Sequence, residues 1–105
     1  MVNLQPLLDL FDSREKWTRH TFARDKNGWP VPAQSEQAVS WCLDGGVQHH
    51  YRDNTEYAEV LEALYAALPK RHRGNIELIV WNDSYATFIG LRRLIMRAQK
   101  GQIND

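Results

Sequence analysis

Phe22-Ala23-Arg24-Asp25-Lys26-Asn27-Gly28-Trp29-Pro30-Val31 is the stretch on which the fold class turns. At its centre, Asp25 to Gly28 is a turn cluster. Asn27-Gly28 supplies the positive φ values that tight hairpins require. Phe22–Arg24 and Trp29–Val31 therefore read as the two arms of a short hairpin. Pro30 has no N–H to give a ladder, so its arm belongs at an edge. Pro32, Ala33 and Gln34 follow as loop.

Upstream, Leu4, Leu7, Leu8 and Phe11 recur at helical spacing, and polar Asp12 to Lys16 closes that helix. Downstream, Ser35 reads as an N-cap with Glu36 in the first turn. Ala38, Trp41, Cys42 and Gly45 then share one helical face, and the helix runs to about His50. Gly45-Gly46 weakens a helix, each glycine costing ~1 kcal/mol against alanine, unless a neighbouring backbone needs the space. Close packing is the expectation here. Asp53-Asn54-Thr55 opens the clearest helix, with Tyr57, Leu61, Leu64, Tyr65 and Leu68 as its stripe and Pro69 as its stop. Gly74-Asn75 is a turn.

Ile76-Glu77-Leu78-Ile79-Val80-Trp81 is the strongest strand signal, β-branched, aromatic and bounded by turn residues. It is expected to pair with the hairpin, with Asn82-Asp83-Ser84 as the loop beyond it. Thr87 or Ser84 caps a last helix carrying Phe88, Leu91, Leu94, Ile95 and Ala98 inward, and Gly101 ends it. The expected fold is α+β, about four helices packed on a small two- or three-stranded sheet, with residues 1–105 as a single domain.

Composition agrees with one modest globular core. Of 105 residues, 43% are hydrophobic and 25% charged, and thirteen cations balance thirteen anions. A single Cys excludes an internal disulfide framework and a cysteine-based zinc site. No apolar run approaches the roughly 20 residues of a membrane helix, and the first residues lack a basic, then apolar, leader pattern. The expectation is a cytoplasmic protein with no membrane partner. The zero net charge hides an asymmetry. Residues 1–68 carry six Lys/Arg and ten Asp/Glu, a net of −4, and residues 69–105 carry seven and three, a net of +4.

Trp17-Thr18, then Ala23-Arg24-Asp25 with Gly28 and Val31, Ala38-Val39, Trp41-Cys42-Leu43 with Gly45, and Asn82-Asp83 with Thr87 and Arg97-Ala98 form an ordered pattern. In that order the chain resembles a family of short bacterial and bacteriophage proteins of unknown function, over about Trp17 to Ala98. Members usually carry a small apolar residue near Asp44 and a Pro-Gly loop after Asn-Asp, where this chain has Ser84-Tyr85-Ala86. The resemblance implies a compact domain and no activity, substrate or cofactor.

Three functional classes stay open on the residues themselves. The leading expectation is a small non-enzymatic interaction or accessory protein with an unidentified protein partner. Its surface is placed at Trp29, Arg24 and the Asn82–Tyr85 loop, because Trp and Arg dominate interface hot spots. The second is a small enzyme or ligand-binding protein with a polar cleft of Arg24, Cys42, Asn82 and Asp83. There, Cys42 as nucleophile needs a histidine delivered by the fold, His20 or His72, with Asp83 to orient it. The third is nucleic-acid binding through Arg71, Arg73, Arg92, Arg93 and Arg97, which predicts steep salt dependence. Each also has a structural explanation. Cys42 is a small buried hydrophobe, Asn82 and Asp83 hold turns, and the arginines line a solvated helix face. His49 and Asp53 stand at i, i+4, but further ligands are not evident, so neither a metal nor another cofactor is expected.

Overall fold

A computed structural model describes residues 2–74 and 76–103. Asn75, in the expected Gly74-Asn75 turn, lies outside the described residues. The chain runs through α1 (Gln5–Leu10), a 3₁₀ turn (Arg14–Lys16), β1 (Ala23–Arg24), β2 (Pro30–Val31), β3 (Ser40–Trp41), α2 (Leu43–His50), α3 (Asn54–Ala66), α4 (Leu78–Ser84) and α5 (Phe88–Ile103). The class is α+β, as expected.

The hairpin forms where the sequence places it. Ala23 pairs with Val31 and Arg24 with Pro30, and β2 is an edge of a three-stranded antiparallel sheet ordered β2-β1-β3. Gly28 takes φ +84°, the left-handed conformation the turn needs, whereas Asn27, expected to share a positive φ, does not. The third strand is not Ile76–Trp81. It is Ser40–Trp41, pairing Trp41 with Ala23 and Ser40 with Arg24.

That exchange corrects three expectations. Ser35 starts no helix: its Oγ accepts from Gln37 N at 3.0 Å within a turn, and α2 begins only after Cys42. Trp41 is held in the strand instead, its ring N–H donating to Ala33 O at 3.1 Å. Residues 78–84 are helical because burial follows helical spacing. Leu78, Trp81 and Asn82 are covered, whereas Ile79 and Val80 are 38% and 44% exposed. Asn82, Asp83 and Ser84 are therefore the last turn of α4 rather than a loop. Gly101 does not end α5, which continues to Ile103.

The core is mainly helix on helix. α1 packs on α2 and α5, and α3 packs on α2 and α5. Leu4, Leu7, Phe11, Leu43, Val47, Val60, Leu64, Leu68, Leu91, Leu94 and Ile95 are fully buried there. The two glycines of α2 meet their neighbours directly. A Cβ on Gly45 would stand 1.9 Å from the Phe22 carbonyl oxygen, and one on Gly46 2.7 Å from the Phe11 ring. Asp53 caps α3 by accepting from Glu56 N at 3.0 Å, and Thr87 caps α5 by accepting from Gly90 N at 3.0 Å. No helix among the described residues is long and apolar enough to cross a membrane.

Candidate functional site

Asn82 is the best-connected polar side chain in the fold. It is fully buried, and all its valences shown are used. Its Oδ1 accepts from the Trp17 ring N–H at 2.8 Å and from Leu43 N at 3.0 Å. Its Nδ2 donates to Thr18 O at 3.2 Å and to Asp83 Oδ1 at 2.9 Å. One amide thus ties α4 to the start of α2 and to the segment before the hairpin. Buried polar groups carry their cost only when left unpaired, so this arrangement is stabilising.

Asp83 continues the network. Its Oδ1 also accepts from His20 N at 3.0 Å, and its Oδ2 faces His20 Nδ1 at 3.7 Å. These contacts hold His20 at φ 72°, a left-handed conformation uncommon for a residue with a Cβ. Arg19 packs over the Trp17 ring at 4.4 Å and donates from Nη2 to Ala86 O. Sequence reading missed Arg19 and the parts that Thr18 and His20 play here, naming His20 only as a base for Cys42 and Thr18 only within the Trp17-Thr18 motif. Their signal was weak: an Arg two positions from a Trp, with no pattern that announces a left-handed backbone.

Arg24 does not join Asn82 and Asp83 in a cleft. Each of its three side-chain nitrogens donates locally: Nε to Thr18 Oγ1 at 2.8 Å, Nη1 to Gly28 O at 3.0 Å, Nη2 to Arg19 O at 3.0 Å. The Arg24–Asp83 ion pair that the sequence allows is absent among the described residues. Arg24 instead clamps the hairpin turn. Asp25 completes the clamp, its Oδ1 accepting from Asn27 N at 2.9 Å and Trp29 N at 3.0 Å. On that fixed turn the Trp29 side chain stands free, 69% exposed.

Cys42 is the N-cap of α2, its Sγ accepting from Gly45 N at 3.2 Å. Burial pushes its thiol up to about 11, outweighing the lowering effect of the Gly45 N–H. A cavity of about 310 Å³ is lined by His20, Thr21, Phe22, Cys42, Ile79 and Asp83. It brings the cysteine, a histidine and Asp83 to one place, as the enzyme reading required. Its chemistry is that of a neutral thiol beside a carboxylate, with a histidine side chain 69% exposed. An activated nucleophile needs the reverse, a lowered thiol pKa.

The basic residues divide. Arg92 is half-buried and donates to Leu8 O and Phe11 O at 2.9 and 2.6 Å, closing the end of α1. Arg73 donates to Leu68 O at 3.0 Å and Arg97 to Ala67 O at 3.3 Å, both at the end of α3. There, cations also complement the helix dipole. Arg71 contacts the His72 ring at 3.1 Å, and Arg93 is exposed. Tyr85 is 58% exposed and packs on His72 with ring centroids 4.6 Å apart. His49 donates from Nδ1 to Ala33 O at 2.9 Å, while Asp53 serves α3, so the two do not converge. Comparison of the chain with protein-family models, curated proteins and solved structures finds no match.

Proposed function

We propose that this protein is a small interaction module that presents Trp29 to a protein partner. The observation that carries the reading is an exposed indole on a turn fixed by Arg24 and Asp25. A large aromatic side chain held on an ordered backbone gives up little conformational freedom on binding, so more of its buried area appears as affinity. Val39, 44% exposed, adds apolar surface beside the hairpin, its N–H donating to Arg24 O at 2.8 Å. Arg24 contributes by holding the turn rather than by touching the partner.

The test is a photo-crosslinking amino acid placed at exposed position 26 of the same turn, with Trp29 intact, and a second protein carrying it at exposed position 12 as control. An adduct formed from position 26 alone, and competed by wild type but not by Trp29→Ala, is the expected result. Equal competition by Trp29→Ala, or no adduct, would overturn the reading. Arg24 is left intact in this design, because its loss would unfasten the turn.

A further inference from the structure

The described structure leaves two unpartnered surfaces of opposite charge. One is a groove of about 490 Å³ between α3 and α4. Its walls are Leu61, Tyr65, Leu78 and Ile79, and Glu62 and Glu77 stand on it with no cation among its lining residues. A third carboxylate, Asp44, lies in the groove and is held by Tyr57 OH at 2.7 Å and Gln48 Nε2 at 3.1 Å. The other surface is the outer face of α5. Ile89, Arg93, Met96 and Lys100 fall at i, i+4, i+7 and i+11 and form one stripe. Ile89 and Met96 are 56% and 46% exposed. Among the described residues, no ion pair uses a cation of α5.

We propose that the groove receives the outer face of α5 from a second copy of this chain. The mode is a helix laid in a groove, with Ile89 and Met96 entering the apolar floor and Arg93 and Lys100 meeting Glu62 and Glu77. Charge complementarity selects this occupant. The chain is −4 over residues 1–68 and +4 over residues 69–105, with no net charge to keep copies apart. The same molecule cannot supply its own helix. Leu91, Leu94, Ile95 and Ala98 anchor α5 in the core, which fixes its other face outward. The contact joins two different surfaces, so it is heterologous and extends head to tail unless the rotation closes a ring.

The experiment is sedimentation velocity over a concentration series at low salt and at high salt. The wild type is expected to associate with rising concentration, and the apparent Kd to weaken by about tenfold or more at high salt, where exposed charges are screened. Glu62→Lys with Glu77→Lys, and separately Arg93→Glu with Lys100→Glu, are each expected to be monomeric. Mixing the two variants is expected to restore association, since each retains the surface the other has lost. Trp29→Ala is expected to associate like the wild type, which separates this contact from the proposed partner surface. A wild type that stays monomeric at the highest concentration reached at low salt would overturn the proposal. So would charge reversals that leave association unchanged, or a mixture that remains monomeric. Binding of a basic amphipathic peptide to a wild type that does not self-associate would assign the groove to a different occupant and overturn it equally. Circular dichroism on the reversed variants, whose substituted side chains are exposed, checks that the fold is retained.

Discussion

Asn82 shows how a residue that looks like a ligand-binding group becomes a structural one. Its amide is buried against four partners, and one of them is the Asp83 carboxylate. Asn82→Asp keeps the shape and changes the chemistry. It removes the donor to Thr18 O and sets a second carboxylate against the first. A loss of about 3 kcal/mol or more is expected at pH 7. Part of it returns near pH 4, where one carboxyl of the pair is protonated. Urea unfolding at the two pH values measures this, and equal losses at both would contradict the assignment. Cys42 gives a second prediction at the same scale. Its folded pKa, about 11, lies above the ordinary 9.0, so the native state keeps the proton longer than the unfolded chain does. That contribution is fully present below pH 9 and is lost as pH rises toward 11. About 1 kcal/mol should be gone by pH 10. Tyr51 and Tyr57, also raised by burial from the ordinary 10.0, add a smaller loss that begins just below pH 10. Cys42→Ala should make the fall in stability between pH 9 and 10 shallower; an unchanged slope would contradict the burial of the thiol.

Among the elements, α4 holds the most instructive difference. Ile76 to Trp81 carries strand chemistry, yet Leu78, Trp81 and Asn82 are covered and Ile79 and Val80 are not. Val80→Glu is therefore expected to change stability by no more than about 0.5 kcal/mol, because the side chain already meets solvent. A loss of several kcal/mol in denaturant unfolding would restore the strand reading. The sequence did carry the helical signal, in the spacing of Leu78, Trp81 and Asn82. A polar Asn on the buried face concealed it, since its partners come from distant segments. The hairpin was legible for the opposite reason: Asn27-Gly28 and Pro30 act through local backbone geometry, which needs no tertiary context. The same contrast explains the caps. Asp53 and Thr87 work on their own helices and could be read directly. Cys42 became a cap only because Trp41 entered the sheet beside Ala23, a pairing that no local pattern announces. Of the proposed site, the exposed Trp29 beside a turn was readable. The clamp from Arg24 to Thr18, Arg19 and Gly28 was not, because three of its four participating groups are backbone or a lone hydroxyl.

At the scale of the molecule, folding and the recognition we propose fall to different residues. The Asn82 network and the helical core hold the fold together, and the hairpin tip projects from it with Trp29 on its outside. This separation is the central claim, and partner capture by Trp29→Ala, measured on protein whose unfolding free energy is determined in the same preparation, tests it most directly. The account predicts stability within about 0.5 kcal/mol of wild type, as for an exposed surface position, together with loss of the captured partner. Capture that survives the substitution, or a stability loss of several kcal/mol showing that the indole packs into the fold, would contradict it.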